Sequence, residues 1–256
     1  ENFANSWKWA APKNNVYKKD VIDFNGNEVL FYHHNTIETI FDATVAQQGM
    51  ESVKDQLYNP LKQLAFGGSF NGKNFIPSRN KEGIYVNTDC KAWNLKSKSA
   101  AKQHSLSLYL HNAQTTDIQT WKYSLDSLQQ IVNKDKTAFQ KTQQWWSQFW
   151  NRSFIEVEPL QKNKTAWEAG RNYQLFRYML ACNAKGDWPT KFNGGLLTVD
   201  PVYTDKNELT PDYRNWGGGL HTAQNQRLVY FPMIKAGDWD MLQSQLNFYF
   251  RILKNA

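Results

Sequence analysis

Apolar and polar residues alternate through Ser105-Leu-Ser-Leu-Tyr-Leu-His111, the period-two pattern of a strand with one buried face. Val29-Leu-Phe-Tyr-His-His34 is a short apolar and aromatic run, and Asn25-Gly26-Asn27 ahead of it is a hairpin turn signal. Phe70-Asn-Gly-Lys-Asn-Phe75 and Gly83-Ile-Tyr-Val86 add further β signals, so residues 1–112 read mainly as β. Residues 43–64 break that pattern: Ala43 to Gln48, Glu51 to Leu57 and Asn59-Pro60 read as a helical or irregular insertion among the strands.

The period then changes. Ile118, Trp121, Leu125, Leu128 and Val132 recur at helical spacing, with Asp117 as the expected cap. Phe139, Thr142, Trp146, Phe149 and Trp150 form a second such run, for which Asp135 is the expected cap. Phe154-Ile-Glu-Val-Glu-Pro159 reads as a short strand ended by its proline. Residues 165–184 predict a helix with Trp167, Tyr173, Phe176 and Leu180 on one face and Gly186 as its stop. A Pro/Gly/Asn-rich loop runs to Gly219, and helices are expected over residues 220–236 and from Asp238 to Lys254. Strands first and helices later predict an α+β, multidomain chain. The expected parts are a β-sandwich portion at residues 1–115, a helical linker at 116–158, and a helical domain from 159 to 256. The helical part is too short to close on itself, so the chain is expected to be a piece of a longer protein.

Composition narrows the function classes. The net charge is +7, but the basic residues come as scattered pairs such as Lys18-Lys19 and Lys134 with Lys136. That distribution gives a solvated basic surface rather than a nucleic-acid arm. No apolar run is long enough for a membrane span. Cys90 and Cys182 are far apart, without a CxxC partner, and read as buried free thiols. Only His33 and His34 of the five histidines are adjacent, which argues against a zinc site. No nucleophile elbow, P-loop or dinucleotide fingerprint occurs, so no metal and no cofactor is expected. Aromatic residues reach 15%, with 11 Trp, which points to a large core, a carbohydrate surface, or both. Trp145, Trp146, Phe149 and Trp150 sit at helical spacing and read as a core seam between the β block and the helices rather than a sugar platform.

Candidate chemistry concentrates in residues 187–240, where amides, aromatics, glycines and one Arg mix. Sugars need aromatic faces for their C–H surfaces and amide, imidazole or guanidinium partners for their hydroxyls. Asn193, within Lys191-Phe-Asn-Gly-Gly195, either presents its amide to a ligand or makes a turn. His221, Gln224 and Asn225 fall on one face of a predicted helix start, preceded by Trp216 and three glycines and followed by Arg227. The alternative for them is a polar helix start satisfied by neighbouring loops. The carboxylates here are Asp187, Asp200, Asp205, Glu208, Asp212, Asp238 and Asp240. Asp238 and Asp240 are expected to cap a helix, leaving Asp200 and Asp212 as the better acid or base candidates.

Three stretches carry a family resemblance. Thr142-Gln-Gln-Trp-Trp-Ser-Gln-Phe-Trp-Asn-Arg-Ser-Phe-Ile155 resembles the linker leading into the catalytic barrel of six-hairpin glycosidases. Tyr173 to Gly186 with Pro189-Thr-Lys-Phe-Asn-Gly-Gly195 resembles the first barrel helix and its loop, and Trp216 through Pro232 resembles the second helix. Gln48-Gly49, Asp55-Gln-Leu57 and Phe66-Gly-Gly68 are similar to the same group, which is bacterial, uncharacterised and related to inverting α-L-fucosidase-like enzymes. The resemblance implies an antiparallel β super-sandwich, a helical linker and the first helices of an incomplete (α/α)6 barrel. It implies an oligo- or polysaccharide substrate, an inverting mechanism and a periplasmic or extracellular location.

In those relatives the second barrel helix carries His-x-Asn-x-Asn, whose amides hold the attacking water. Here the stretch reads His221-Thr-Ala223-Gln-Asn225, keeping the second Asn and replacing the first. Asn225 is therefore the implied water- or substrate-positioning residue, with Asn193, Trp216, His221, Gln224 and Arg227 lining the sugar subsite. The family's general acid comes from later helices, so this stretch of chain is expected to lack it. The change at Ala223 keeps open a catalytically inactive carbohydrate-binding relative. The basic charge and the Trp-rich seam keep open a structural or interaction protein.

Overall fold

The computed structural model describes residues 19–35, 39–85, 88–157, 165–190 and 223–255. The chain is α+β and divides into two compact units, with the break between Lys136 and Thr137. The break falls inside the stretch read as a linker.

The first unit is built on an antiparallel sheet of β1 (Val21–Asn25), β2 (Glu28–His34), β3 (Leu64–Asn71) and β8 (Ser107–Gln114), hydrogen-bonded in that order. Gly26, at φ +59°, makes the β1–β2 turn, as the Asn-Gly signal requires. Two ribbons accompany the sheet: β4 (Phe75–Pro77) with β7 (Leu95–Ser97), and β5 (Lys81–Tyr85) with β6 (Thr88–Ala92). The insertion between β2 and β3 is a helix, α1 (Ile40–Gln47), and a 3-10 stretch, Glu51–Gln56.

Helix α2 (Ile118–Lys134) covers one face of the sheet, and Asp117 caps it by accepting from the Gln119 and Thr120 N–H groups. Leu30, Ala65, Tyr109, Trp121 and Leu125 form the core between them. Antiparallel register aligns Tyr32, Gly67 and His111 in one row. Trp121 meets the Tyr32 ring at 5.6 Å and the His111 ring at 5.9 Å. Burial pushes the His111 pKa down, because the imidazolium would lose its water. Polar side chains fasten the far end of the helix: Gln129 donates to Ser69 Oγ at 3.0 Å, and the Tyr109 hydroxyl donates to Asn133 at 2.7 Å.

The second unit contains α3 (Ala138–Arg152), α4 (Thr165–Asn183), α5 (Ala223–Ala236), a 3-10 turn at Trp239–Leu242 and α6 (Gln243–Arg251). Its core is Phe149, Leu180, Ala181, Ala184, Val229, Tyr230, Met233 and Met241, with Trp145, Trp146 and Trp150 packed against it. The tryptophan run packs within this helical unit, whereas the expected place was a seam between the β block and the helices.

Several expectations need correction. Asp135 is not the N-cap of α3; its N–H ends α2 on the Ile131 and Val132 carbonyls, and α3 starts behind Thr137, whose side chain makes no cap hydrogen bond. Residues 153–157 form no strand, because α4 side chains take their carbonyls: Gln174 donates to Ile155 O, and Arg177 to Ser153 O. The buried stripe of α4 is Gly170, Arg177, Leu180 and Ala181, while Trp167, Tyr173 and Phe176 are only half-buried. Cys90 and Cys182 are free but exposed. Cys90 lies on a ribbon too small to bury it, and Cys182 on the outer face of α4.

Gly68 tests the sheet register. A Cβ there would stand 1.9 Å from the Tyr109 carbonyl oxygen, in the backbone of the neighbouring strand. Gly68→Ala is expected to abolish cooperative folding of the sheet unit. A thermal melt that matches the parent would show the β3–β8 register to be wrong.

Candidate functional site

The start of α5 is the part of the predicted site that falls within the described residues. Its buried stripe is Gln226, Val229, Tyr230, Met233 and Ala236, spaced three and four apart. Asn225 is half-buried at the edge of that stripe, and Gln224 and Arg227 are exposed on the outer side. The three residues therefore divide between the flank and the outside of the helix. Asn193, Trp216 and His221 lie outside the described residues, as do Asp200, Asp205, Glu208 and Asp212. Gln226 was missed by the sequence reading. Its signal was an amide at a position that continues the Val229–Met233 stripe.

Tyr230 ties this helix to the loop that leads toward Asn193. The Thr190 N–H donates to the Tyr230 hydroxyl at 2.8 Å, and Thr190 Oγ1 donates to the Asn183 carbonyl at 3.3 Å. Pro189 and Thr190 are buried. Burial raises the Tyr230 pKa, outweighing the Thr190 contacts that lower it, so the hydroxyl stays neutral at physiological pH. The entry to the loop is thereby fixed against the middle of α5.

The far end of α5 is fixed by charge. Gly237, at φ +73°, lets the chain reverse, and the Asp238 N–H returns to the Met233 carbonyl at 2.9 Å in a Schellman closure. That turn delivers the Asp238 carboxylate to Arg177 of α4. Arg177 Nε donates to Asp238 Oδ2 at 2.9 Å, and Nη2 to Oδ1 at 2.8 Å. Arg177 is 2% exposed and Asp238 0%. The same guanidinium donates to the Phe149 and Ser153 carbonyls at the end of α3 and lies 4.0 Å over the Phe149 ring. Arg152 bridges Asp238 to Asp240, and Lys185 also reaches Asp240 at 3.2 Å. Asp238 and Asp240 are therefore ion-pair partners rather than helix caps, and neither offers a carboxylate for acid–base work. Asp187, exposed, faces Arg251 at 3.5 Å.

Among the described residues, no three His, Cys, Asp or Glu side chains gather in a metal-binding group. No helix is long and apolar enough to cross a membrane, again among the described residues.

Two substitutions test the charge cluster. Arg177→Met is expected to cost about 3–5 kcal/mol of unfolding free energy, because buried Asp238 loses its bidentate partner and keeps only the 3.4 Å contact from Arg152. A loss below about 1 kcal/mol in denaturant titration would refute that role. Burial pulls the Asp240 pKa upward, but hydrogen bonds from Arg152 and Lys185 outweigh it and hold the carboxyl below its ordinary value. Its folded pKa lies below the unfolded one, so its contribution is present above about pH 4 and is lost as pH falls through the folded value. Asp240→Asn is expected to flatten the acid limb of the stability curve below about pH 4; an unchanged limb would contradict it.

Comparison with known proteins places the chain in a family. Residues 1–155 match the N-terminal part of the domain of unknown function DUF5703, and the chain belongs to that family. No curated protein and no solved structure matches it.

Proposed function

We propose that this DUF5703 member is part of a glycoside hydrolase acting on glycans by an inverting mechanism. One observation carries the reading: α5 is anchored along its buried side, and its first turns place Asn225 at the edge of that side with Gln224 and Arg227 exposed beside it. The Tyr230–Thr190 bond and the Gly237–Asp238 reversal fix the helix. Asn225 stands at the edge of the buried stripe, with Gln224 and Arg227 outside it. A side-chain amide carries both an acceptor and donors, so it can accept a hydrogen bond from a water and donate one to a sugar hydroxyl. In an inverting hydrolase, such a group orients the attacking water while two carboxyl groups move the protons.

In this reading the sheet unit is a portion of an antiparallel super-sandwich. Residues 116–158 link it to α4 and α5, the first helices of an (α/α)6 barrel. Asn225 positions water or substrate, and Asn193, Trp216, His221, Gln224 and Arg227 line the subsite. The general acid comes from later helices. The protein works on oligo- or polysaccharides in the periplasm or outside the cell. A second reading, a carbohydrate-binding relative without turnover, is favoured by Ala223, which stands where the resembling enzymes carry an Asn.

The test is Asn225→Ala in the full-length protein, assayed on aryl glycosides and polysaccharides. The expected result is a fall in kcat/KM of about a hundredfold or more, with unfolding unchanged, since a mispositioned reactant costs that much. Unchanged hydrolysis and unchanged glycan binding would sink the assignment. Glycan binding without turnover in the parent protein would select the second reading.

A further inference from the structure

A cleft of about 370 Å³ lies along the first turns of α4, lined by Phe154, Glu156, Val157, Trp167, Arg171 and Gln174. None of these residues belongs to the α5 site. The cleft is held open by fixed contacts. Gln174 Nε2 donates to the Ile155 carbonyl at 2.8 Å, and Ser153 Oγ lies 3.0 Å from the Tyr173 hydroxyl. Gly170 lets residues 155–157 lie close to the helix, since a Cβ there would come within 3.2 Å of the Ile155 carbonyl.

The lining combines three kinds of group. Trp167 and Phe154 supply aromatic surface, the first half-buried and the second exposed. Arg171 lies 5.2 Å from the Trp167 ring centre, and its Nε and Nη2 donate to Asn172 Oδ1. Its Nη1 has no partner among the described residues. Glu156 is exposed and also has none there.

We propose that this cleft is a binding subsite for a neutral sugar ring, separate from the α5 site. The C–H face of a sugar stacks on an aromatic ring. Its vicinal hydroxyls can accept from Arg171 Nη1 and donate to Glu156. The two opposite charges leave the lining without net charge, so an anion or a cation that gains one ion pair also meets one like charge, and a neutral ring meets neither cost. The volume is at the small end of the range of about 300–1,000 Å³ for small-molecule sites, which suits one ring rather than a long chain. The inference rests on the glycan reading above for its ligand class and adds a second point of attachment.

The experiment titrates the full-length protein with glucose, galactose, xylose and their disaccharides. Glucuronate and uridine serve as competing probes, and binding is read by saturation-transfer NMR. Neutral sugars are expected to bind, and Trp167→Ala and Glu156→Gln are each expected to weaken binding about tenfold. Asn225→Ala is titrated beside them. Because Trp167 is half-buried, its variant is checked by thermal melt; Glu156 is exposed, so its variant keeps the test valid if the first misfolds. No neutral sugar bound, binding unchanged in both variants, or preference for glucuronate or uridine would each overturn the proposal. Hydrolysis lost in Asn225→Ala with sugar binding unchanged in the cleft variants refutes this subsite and leaves the hydrolase reading standing. Binding lost in the cleft variants of a protein that turns over no glycan does the reverse.

Discussion

The helical unit depends on one buried guanidinium. Arg177 closes a bidentate pair with Asp238, satisfies carbonyls at the end of α3 and lies over Phe149. A charge with so little solvent is tolerated only when each of its donors finds an acceptor. That condition constrains three elements together. Helix α3 must end where its carbonyls meet Arg177. Helix α5 must reverse at Gly237 so that Asp238 returns. Helix α4 must carry an Arg on a stripe otherwise made of Gly, Leu and Ala. The C-terminal dipole of α3 adds to the favourable field around the cation. Core packing by Leu180, Val229 and Met233 supplies cohesion without a unique register, whereas the pair fixes the register.

The sheet unit is held instead by aromatic packing and side-chain hydrogen bonds. Trp121 fills the space over the Tyr32–Gly67–His111 row, and Gly67 and Gly68 stand where a Cβ would strike neighbouring backbone. Gln129, Ser69 and Glu28 then form a small polar chain between helix and sheet. Alternation along β8 leaves Leu108 and Leu110 exposed on the opposite face, as the period of two demands when only one face is covered.

Much of this was legible in the sequence because the signals are local. Asn25-Gly26 gives its turn, Asp117 its cap, and the spacing from Ile118 to Val132 its helix. The failures share a different cause. Asp238 and Asp240 look like caps because they flank Trp239 before a helix, yet their partners lie about sixty to ninety residues away. Residues 154–157 have strand-like composition, but α4 claims the Ile155 carbonyl. Periodicity reports which face is buried and not what a buried polar group will find there. Arg177 and Gln226 were visible as polar residues on apolar stripes. Reading each as a request for a buried partner would have found the first pair.

The same division explains what the candidate site can be. Along α5, the middle is committed to Thr190 and the far end to Arg177 through Asp238. Rigid support beneath polar groups is the arrangement that binding and catalysis require, because orientation must be fixed before a ligand arrives. Asp238 and Asp240 cannot serve as acid or base, since their charges are already spoken for by Arg177, Arg152 and Lys185. Amides, not carboxylates, are thus what this end of α5 contributes. Any proton transfer in a hydrolytic reaction has to come from elsewhere in the protein.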